Sequence, residues 1–307
     1  MNRTKTVSVK TTLQLLLLAL PFIFTNTLDA QEYVYRTFKD TRVVNIHSPE
    51  TLPKGRLDVR ISHRFGDFAG DNGGFATFYG LETASDVSLG GEYGFSDSFT
   101  AGLYRSKGAG VSVEGFPGLR QLLNGLLKLR LSRQQEGGGS PISATLMGLV
   151  SMSTQEKLEG SGNENAIASF PEFSHRFASH VQLILARKFS DGFSLQVSPG
   201  YTHRNLVPFE DENGMFSVSA GARVQITRSF GILGDVVLPV ADSRGSGTGY
   251  QPAIGFGFEF ETSGHVFQVN LTNATALMET DFVPYTTTDW TEGEYRLGFT
   301  ISRWFNL

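Results

Sequence analysis

The chain has 307 residues, 26 basic and 30 acidic side chains, a net charge of −4 and no cysteine. This balance gives no support for nucleic-acid binding. The lack of cysteine excludes a disulfide framework, thiolate metal sites and a lipid-modified N-terminal cysteine.

Residues 1–30 read as a signal peptide. Arg3, Lys5 and Lys10 give a positive start, Leu13 to Phe24 is an apolar run broken by Gln14 and Pro21, and Leu28-Asp29-Ala30 ends in a small residue. The run is too short and wrongly flanked for a spanning helix. After Ala30 no stretch approaches eighteen consecutive apolar residues. Three bases and Asp29 fall within residues 1–30, leaving 23 basic and 29 acidic side chains in the remainder. Residues 31–53 show little pattern beyond Val43-Val44 and Ile46, and read as a lead-in lying on the periplasmic side or inside a lumen.

Residues 54–307 then alternate apolar and polar residues with period two in twelve stretches. Side chains along a strand point to opposite faces, so each stretch has one oily and one wet face. The predicted strands run Arg56–Gly66, Asp86–Phe95, Phe99–Ser106, Leu126–Arg133, Ile142–Ser153, Phe177–Phe189, Phe193–Arg204, Met215–Thr227, Phe230–Ala241, Pro252–Glu261, His265–Asn273 and Glu294–Phe305. Met215–Thr227 is the clearest: Val218, Val224 and Ile226 share the oily face, Ser219, Arg223 and Gln225 the other. Leu126–Arg133 is the least clear, because Leu122 to Leu127 also suits the start of a helical turn.

The connections alternate in length. Ser96-Asp97-Ser98, Ser190-Asp191-Gly192, Arg228-Ser229 and Thr262-Ser263-Gly264 are tight, with Gln134–Pro141 the loosest of the short set. Asp67–Ser85, Lys107–Gly125, Thr154–Arg176, Asn205–Gly214, Asp242–Gln251 and Ala274–Gly293 are longer. Short periplasmic turns and long outer loops are the habit of outer-membrane barrels. The predicted fold is all-β, a single antiparallel up-and-down transmembrane β-barrel of about twelve strands, with both ends on the periplasmic side. Thr154–Arg176 and Ala274–Gly293 are expected to be exposed and open to protease. Phe95, Phe99, Phe189, Phe193, Phe230, Phe260 and Phe267 flank the tight turns, where an aromatic girdle belongs. The last strand places Tyr295, Leu297, Phe299, Ile301 and Phe305 on one face, like the C-terminal aromatic strand that barrels present to their insertion machinery. Here Asn306-Leu307 displace the terminal aromatic.

Three segments carry a family resemblance. They are His47-Ser48-Pro49-Glu50-Thr51-Leu52-Pro53-Lys54-Gly55 with Ile61-Ser62-His63-Arg64-Phe65-Gly66, Phe78-Tyr79-Gly80-Leu81 leading into Ala84-Ser85-Asp86-Val87, and His265-Val266-Phe267-Gln268-Val269 with Thr272-Asn273. They resemble an uncharacterised β-barrel family of Bacteroidota, known as a domain of unknown function. The resemblance implies a barrel in an outer membrane. It implies no activity.

Strand parity gives the candidate lumen-facing residues Asp58, Arg60, Arg64, Glu92, Lys128, Arg130, Arg223, Asp235, Glu259, Glu261, Glu294 and Arg296. This mixture suits either a selective pore or a lumen closed by salt bridges, with residues 31–53 available to block it. Six histidines include no same-face i, i+2 pair, and His63, His203 and His265 fall on the lipid-facing parity. Ser62-His63 and Ser179-His180 are adjacent, so their side chains diverge, which is poor geometry for a nucleophile and its base. The glycine runs at 70–74 and 137–139 are not phosphate loops, and Asp67, Asp71 and Asn72 suit either weak calcium binding or a mobile loop. No cofactor is implied. The expected partners are outer-membrane lipid, the insertion machinery, and a solute or partner protein that the sequence does not name. The leading role is passive transport or envelope structure. The alternatives are a plugged barrel that binds an outside ligand or protein, and a barrel hydrolase.

Overall fold

Twelve strands close on themselves. The computed structural model describes residues 33–108, 121–159, 167–209, 211–245 and 247–307. The strands are β1 (Arg56–Phe65), β2 (Ala84–Ser96), β3 (Phe99–Lys107), β4 (Gln121–Ser132), β5 (Ser143–Ser153), β6 (Phe177–Ser190), β7 (Phe193–Arg204), β8 (Gly214–Gln225), β9 (Phe230–Val240), β10 (Ala253–Thr262), β11 (His265–Thr272) and β12 (Arg296–Asn306). Each pairs antiparallel with its sequence neighbours, and β1 pairs with β12 from Arg56↔Asn306 to Arg64↔Gly298. Closure removes the unpaired edges that an open sheet would leave. The long and short connections fall on opposite ends, and the two ends of the barrel's chain lie together at the short-turn end.

The pattern of burial is that of a soluble protein turned inside out. Leu89, Leu103, Leu127, Val150, Val218 and Val269 point outward and are exposed, while Asp58, Arg60, Glu92 and Lys128 point inward and are almost wholly buried. In β8, Val218 and Val224 are outward, and Ser219 and Arg223 are inward. Phenylalanines pair around the short turns: Phe95 with Phe99 and Phe189 with Phe193 at 5.8 Å, and Phe230 with Phe260 at 4.9 Å between ring centres.

Most strand ends fall within two residues of expectation, and two starts bear on the reading. β4 begins at Gln121, and Leu122 pairs with Ser106 on one side and Ser153 on the other. The leucine run is therefore extended, because cross-strand pairing outweighs the local helical preference of leucine. β12 begins at Arg296, so Glu294 and Tyr295 belong to the preceding loop. The expected signal segment and residues 109–120 and 160–166 of two long connections lie outside the described residues.

The lead-in segment runs inside the barrel. It enters at the short-turn end, where the Val34 N–H donates to the Gln134 carbonyl at 3.0 Å. It folds back at an Arg42↔His47 bridge, with Val43 N–H to Ile46 O at 2.9 Å, and returns to the wall at Leu52. The wall is bare where this hairpin presses on it. A Cβ at Gly255 would lie 2.6 Å from both Asn45 Nδ2 and Val44 Cγ1, and one at Gly94 would lie 2.2 Å from the Pro53 carbonyl.

A second filler descends from the long-loop end. Residues 274–286, with helix α1 (Glu279–Tyr285), are buried apart from half-buried Thr275. The expected exposure of Ala274–Gly293 is thus corrected: only its last residues reach the mouth. The cause is composition, since Ala276, Phe282 and Val283 join Phe38, Val43, Val44, Ile46, Leu233 and Val237 in one apolar cluster. In the 154–176 connection, Ala168 and Phe170 are likewise buried.

Candidate functional site: the filled lumen

Physical constraint shapes everything inside the barrel. A buried charge is tolerated only when paired and hydrogen-bonded. The tip of the lead-in hairpin meets this rule at Asp235 on β9. Its carboxylate accepts the backbone N–H groups of Val44 at 2.9 Å, Asn45 at 2.6 Å and Ile46 at 3.2 Å, and the Asn45 side-chain amide at 2.7 Å. Successive N–H groups converging in a turn form an anion nest, and here the anion is a wall residue.

Below the tip, Arg60 on β1 forms a forked ion pair with Asp40 of the segment and donates to Asp58 at 2.9 Å. Ser302 on β12 donates to the other Asp58 oxygen at 2.6 Å. Lys128 on β4 donates to the Thr41 carbonyl at 2.9 Å and to the Ser48 and Glu50 carbonyls at 3.3 Å. Glu92 on β2 accepts from Tyr104 at 2.7 Å and from Thr41 at 3.3 Å. The wall therefore grips the segment's backbone as well as its side chains.

The two fillers meet at a pair of arginines. Arg42 donates to the Leu277 carbonyl at 3.0 Å and to Glu279 at 3.4 Å, and touches His47 Nε2 at 3.0 Å. Arg64 on β1 donates to the Ala274 carbonyl at 3.1 Å, to the Ala276 carbonyl and to Asn45 Oδ1 at 2.6 Å. Burial and the Arg42, Lys128 and Arg60 charges hold the His47 imidazole well below its usual range, which keeps it neutral beside three cations. Burial pushes the Glu279 carboxyl upward, against the pull of Arg42.

The long-loop mouth has its own clasp. Asp211 takes Arg204 at 3.0 Å and both outer nitrogens of Arg244 at 2.9 Å. Arg244 also donates to the Pro284 carbonyl at 2.7 Å, which ties the end of α1 to the loops. Burial acts upward on Asp211, but Arg244 and Arg204 together hold its carboxyl below the usual range.

The remaining predicted lumen residues divide by depth. Arg223 on β8 pairs with Glu259 on β10 at 2.8 Å, and both are buried. Glu261 pairs with Lys39 of the segment at 2.8 Å nearer the short-turn mouth, and half-buried Arg130 lies 3.8 Å from Glu50. Arg296 reaches the Asn273 carbonyl at 3.5 Å. Glu294 is the misplaced one. It lies in the loop before β12 and accepts the Asp289 N–H at 2.8 Å, so strand parity does not apply to it. Asp40, Arg42, His47 and Glu279 are buried, paired lumen positions that the parity argument missed. Residues 31–53 have no period to read, and the signal for Glu279 was the apolar run around it.

For hydrolytic chemistry the geometry is poor. Ser62 faces inward and accepts from Thr300, whereas His63 faces outward and stacks on Phe299 at 5.5 Å. The hydroxyl–imidazole pair that does form, Thr202 with His180 Nδ1 at 2.8 Å, is buried, and the far ring nitrogen lies 3.4 Å from the amide oxygen of Gln182. Asp67 accepts the N–H groups of Gly70 at 3.1 Å and Asn72 at 3.2 Å, so it organises its own loop. Among the described residues no group of three acidic or histidine side chains is arranged to hold a metal ion.

A closed sheet with an apolar exterior and an ion-paired interior defines a membrane β-barrel. The chain belongs to the family described as a membrane-bound beta barrel domain, DUF5777, whose profile matches residues 38–305. No curated protein matches the sequence. Among solved structures the barrel is similar to KdgM porin, at 8% identity and a TM-score of 0.46, covering 81% of this chain and 98% of that one. It is also similar to an outer membrane channel from Pseudomonas putida F1, at 13% identity, TM-score 0.43, 85% and 100% coverage. The Acinetobacter baumannii outer membrane protein Omp33 follows at 8%, 0.40, 82% and 99%. At these values the likenesses concern general architecture alone.

Proposed function

We propose that the chain is an integral barrel of an outer membrane, delivered there by a signal peptide over residues 1–30, whose lumen its own chain keeps closed. In this reading it serves as a binding or envelope-structural barrel, and free diffusion is not its resting activity. The observation that carries this is the filled lumen: the segment from Asp40 to Ser48 and the whole of α1 are buried between the walls. The alternation of short turns with long loops supports short turns on the periplasmic side. Planar-bilayer recording of the refolded chain tests the reading. The expected trace has no steady open level, and deletion of residues 33–51 creates one. A steady open level in the intact chain would overturn it.

Gated passage is the second reading, and one feature favours it. Besides the apolar contacts of Phe38, Val43, Val44 and Ile46, the segment is held by hydrogen bonds and ion pairs, such as those at Asp235, Arg60 and Lys128. Such bonds exchange with water more readily than a purely apolar contact. Voltage- or ligand-dependent openings on an otherwise silent baseline would support it.

A further inference from the structure

The short-turn mouth contains a cavity of about 490 Å³ between the entering segment and β6, β7 and β8. That is within the roughly 300–1,000 Å³ of small-molecule sites. Five cations line it: Arg36 and Lys39 from the segment, Lys188 on β6, Arg223 on β8 and Arg228 in the β8–β9 turn. Asp191 is the acidic residue of the lining.

Internal pairing does not neutralise this set. Lys39 is matched by Glu261, Arg223 by Glu259 and Lys188 by Asp191, each at 2.8 Å. The last of these pairs is weak, because Asp191 is fully exposed to water. Arg36 and Arg228 have no carboxylate partner among the described residues. Arg36 is held in place nonetheless: its guanidinium lies 4.1 Å from the Trp304 ring centre and donates to the Lys39 carbonyl at 3.2 Å. Ser194 and Thr37 add hydroxyls, and Tyr35 and Phe38 add apolar wall. A cavity with two unmatched guanidiniums, a weakly matched ammonium and neutral donors is complementary to a compact ligand with at least two negative charges. Planar guanidiniums suit carboxylate and phosphate oxygens in particular.

We propose that this cavity binds a small organic anion bearing two or more carboxylate or phosphate groups. The ligand bridges the segment, through Arg36, to the wall, through Lys188 and Arg228. The site rests on the closed-lumen reading in one respect, since Arg36 and Lys39 reach it only while the segment is seated. Bound anion therefore stabilises the seated segment by mass action. A phospholipid headgroup with two phosphates, such as that of cardiolipin, on the short-turn side offers the same chemistry as a soluble anion.

Calorimetric titration of the full chain, folded in zwitterionic detergent, tests the site with inorganic pyrophosphate and acetate at matched ionic strength. Pyrophosphate is expected to bind at least tenfold tighter than acetate. The double variant Arg36→Gln/Arg228→Gln is expected to lose at least tenfold, and Lys188→Gln less. Pyrophosphate should also slow tryptic cleavage after Lys39. Heat-modifiable gel migration confirms that each variant retains its barrel. Micelles doped with cardiolipin, whose headgroup carries two phosphates, identify the source: competition with pyrophosphate assigns a headgroup, and no competition assigns a soluble anion. Equal affinity for pyrophosphate and acetate, or an unchanged double variant, would overturn the site. A silent bilayer trace with either of those results removes the site and leaves the closed lumen standing.

Discussion

Replacing Asp235 with alanine should free the lead-in segment while leaving the barrel intact. The carboxylate receives three backbone N–H groups and one side-chain amide, all buried. Each orphaned buried donor costs about 1–3 kcal/mol. Four at the low end give about 4 kcal/mol. Relief of the aspartate's own desolvation, and water entering the vacated space, offset part of this. A net loss of about 3 kcal/mol remains, which is about two decades in the fraction of unseated segment, because each factor of ten is worth about 1.4 kcal/mol. Trypsin cleavage after Arg36, Lys39 and Arg42 reads that fraction when reseating outpaces cleavage. Cleavage should accelerate about a hundredfold in Asp235→Ala and less in Asp235→Asn, which keeps one acceptor oxygen. Glu261→Gln, which breaks a partly exposed pair with Lys39, should cost under about 1 kcal/mol. If Asp235→Ala is cleaved within twofold of the parent rate, the nest does not anchor the segment.

Three further outcomes are expected. Ala222→Arg places a charge on the outer wall of β8 and should destabilise the barrel by about 2–4 kcal/mol if the site lies near the midplane, measured by urea unfolding in vesicles. Ser219→Arg is no harmless comparison, because Ser219 faces a filled lumen and is itself buried. Acidification should loosen the segment: His47 is held below its unfolded value, so the unseated state binds more protons as pH falls from about 6.5, and stability falls with it. Glu279 is shifted upward and opposes this, so hydrogen exchange of residues 41–48 between pH 7 and 5 should show the slope most clearly in Glu279→Gln, and His47→Asn should flatten it. Finally, an epitope at Asn72 should be labelled on intact cells and one at Asp191-Gly192 should not. The reverse pattern would invert the topology and the periplasmic assignment of the short turns.

The strands were legible because period two is a direct readout of which face meets lipid, and Val218, Val224 and Ser219 follow it. Loop-length alternation likewise identified the two ends. What it left unread is whether a long connection stays outside. Residues 274–286 turn inward because Ala276, Leu277, Met278, Phe282 and Val283 bury apolar surface, information that composition held and loop length did not. Parity placed Asp58, Arg60 and Lys128 inside but could not name their partners. Those sit on segment 33–53, where hydrogen bonds to irregular backbone leave no sequence period. Glu294 shows the converse error, parity extended two residues past the strand's start.

The location of the hairpin within its own ring also bears on how the barrel can assemble. Arg60 meets Asp40 only 20 positions away, and Arg64 meets Asn45 at 19, so these contacts close short loops and can form beside β1 alone. Asp235 reaches Asn45 across 190 positions, and Arg42 reaches Leu277 across 235. Because short loops close at lower entropic cost, the segment is expected to pack on β1 before it meets β9. The last hairpin, bringing residues 274–286 and then β12, then seals around the segment. In that order the segment need not be threaded through a finished ring.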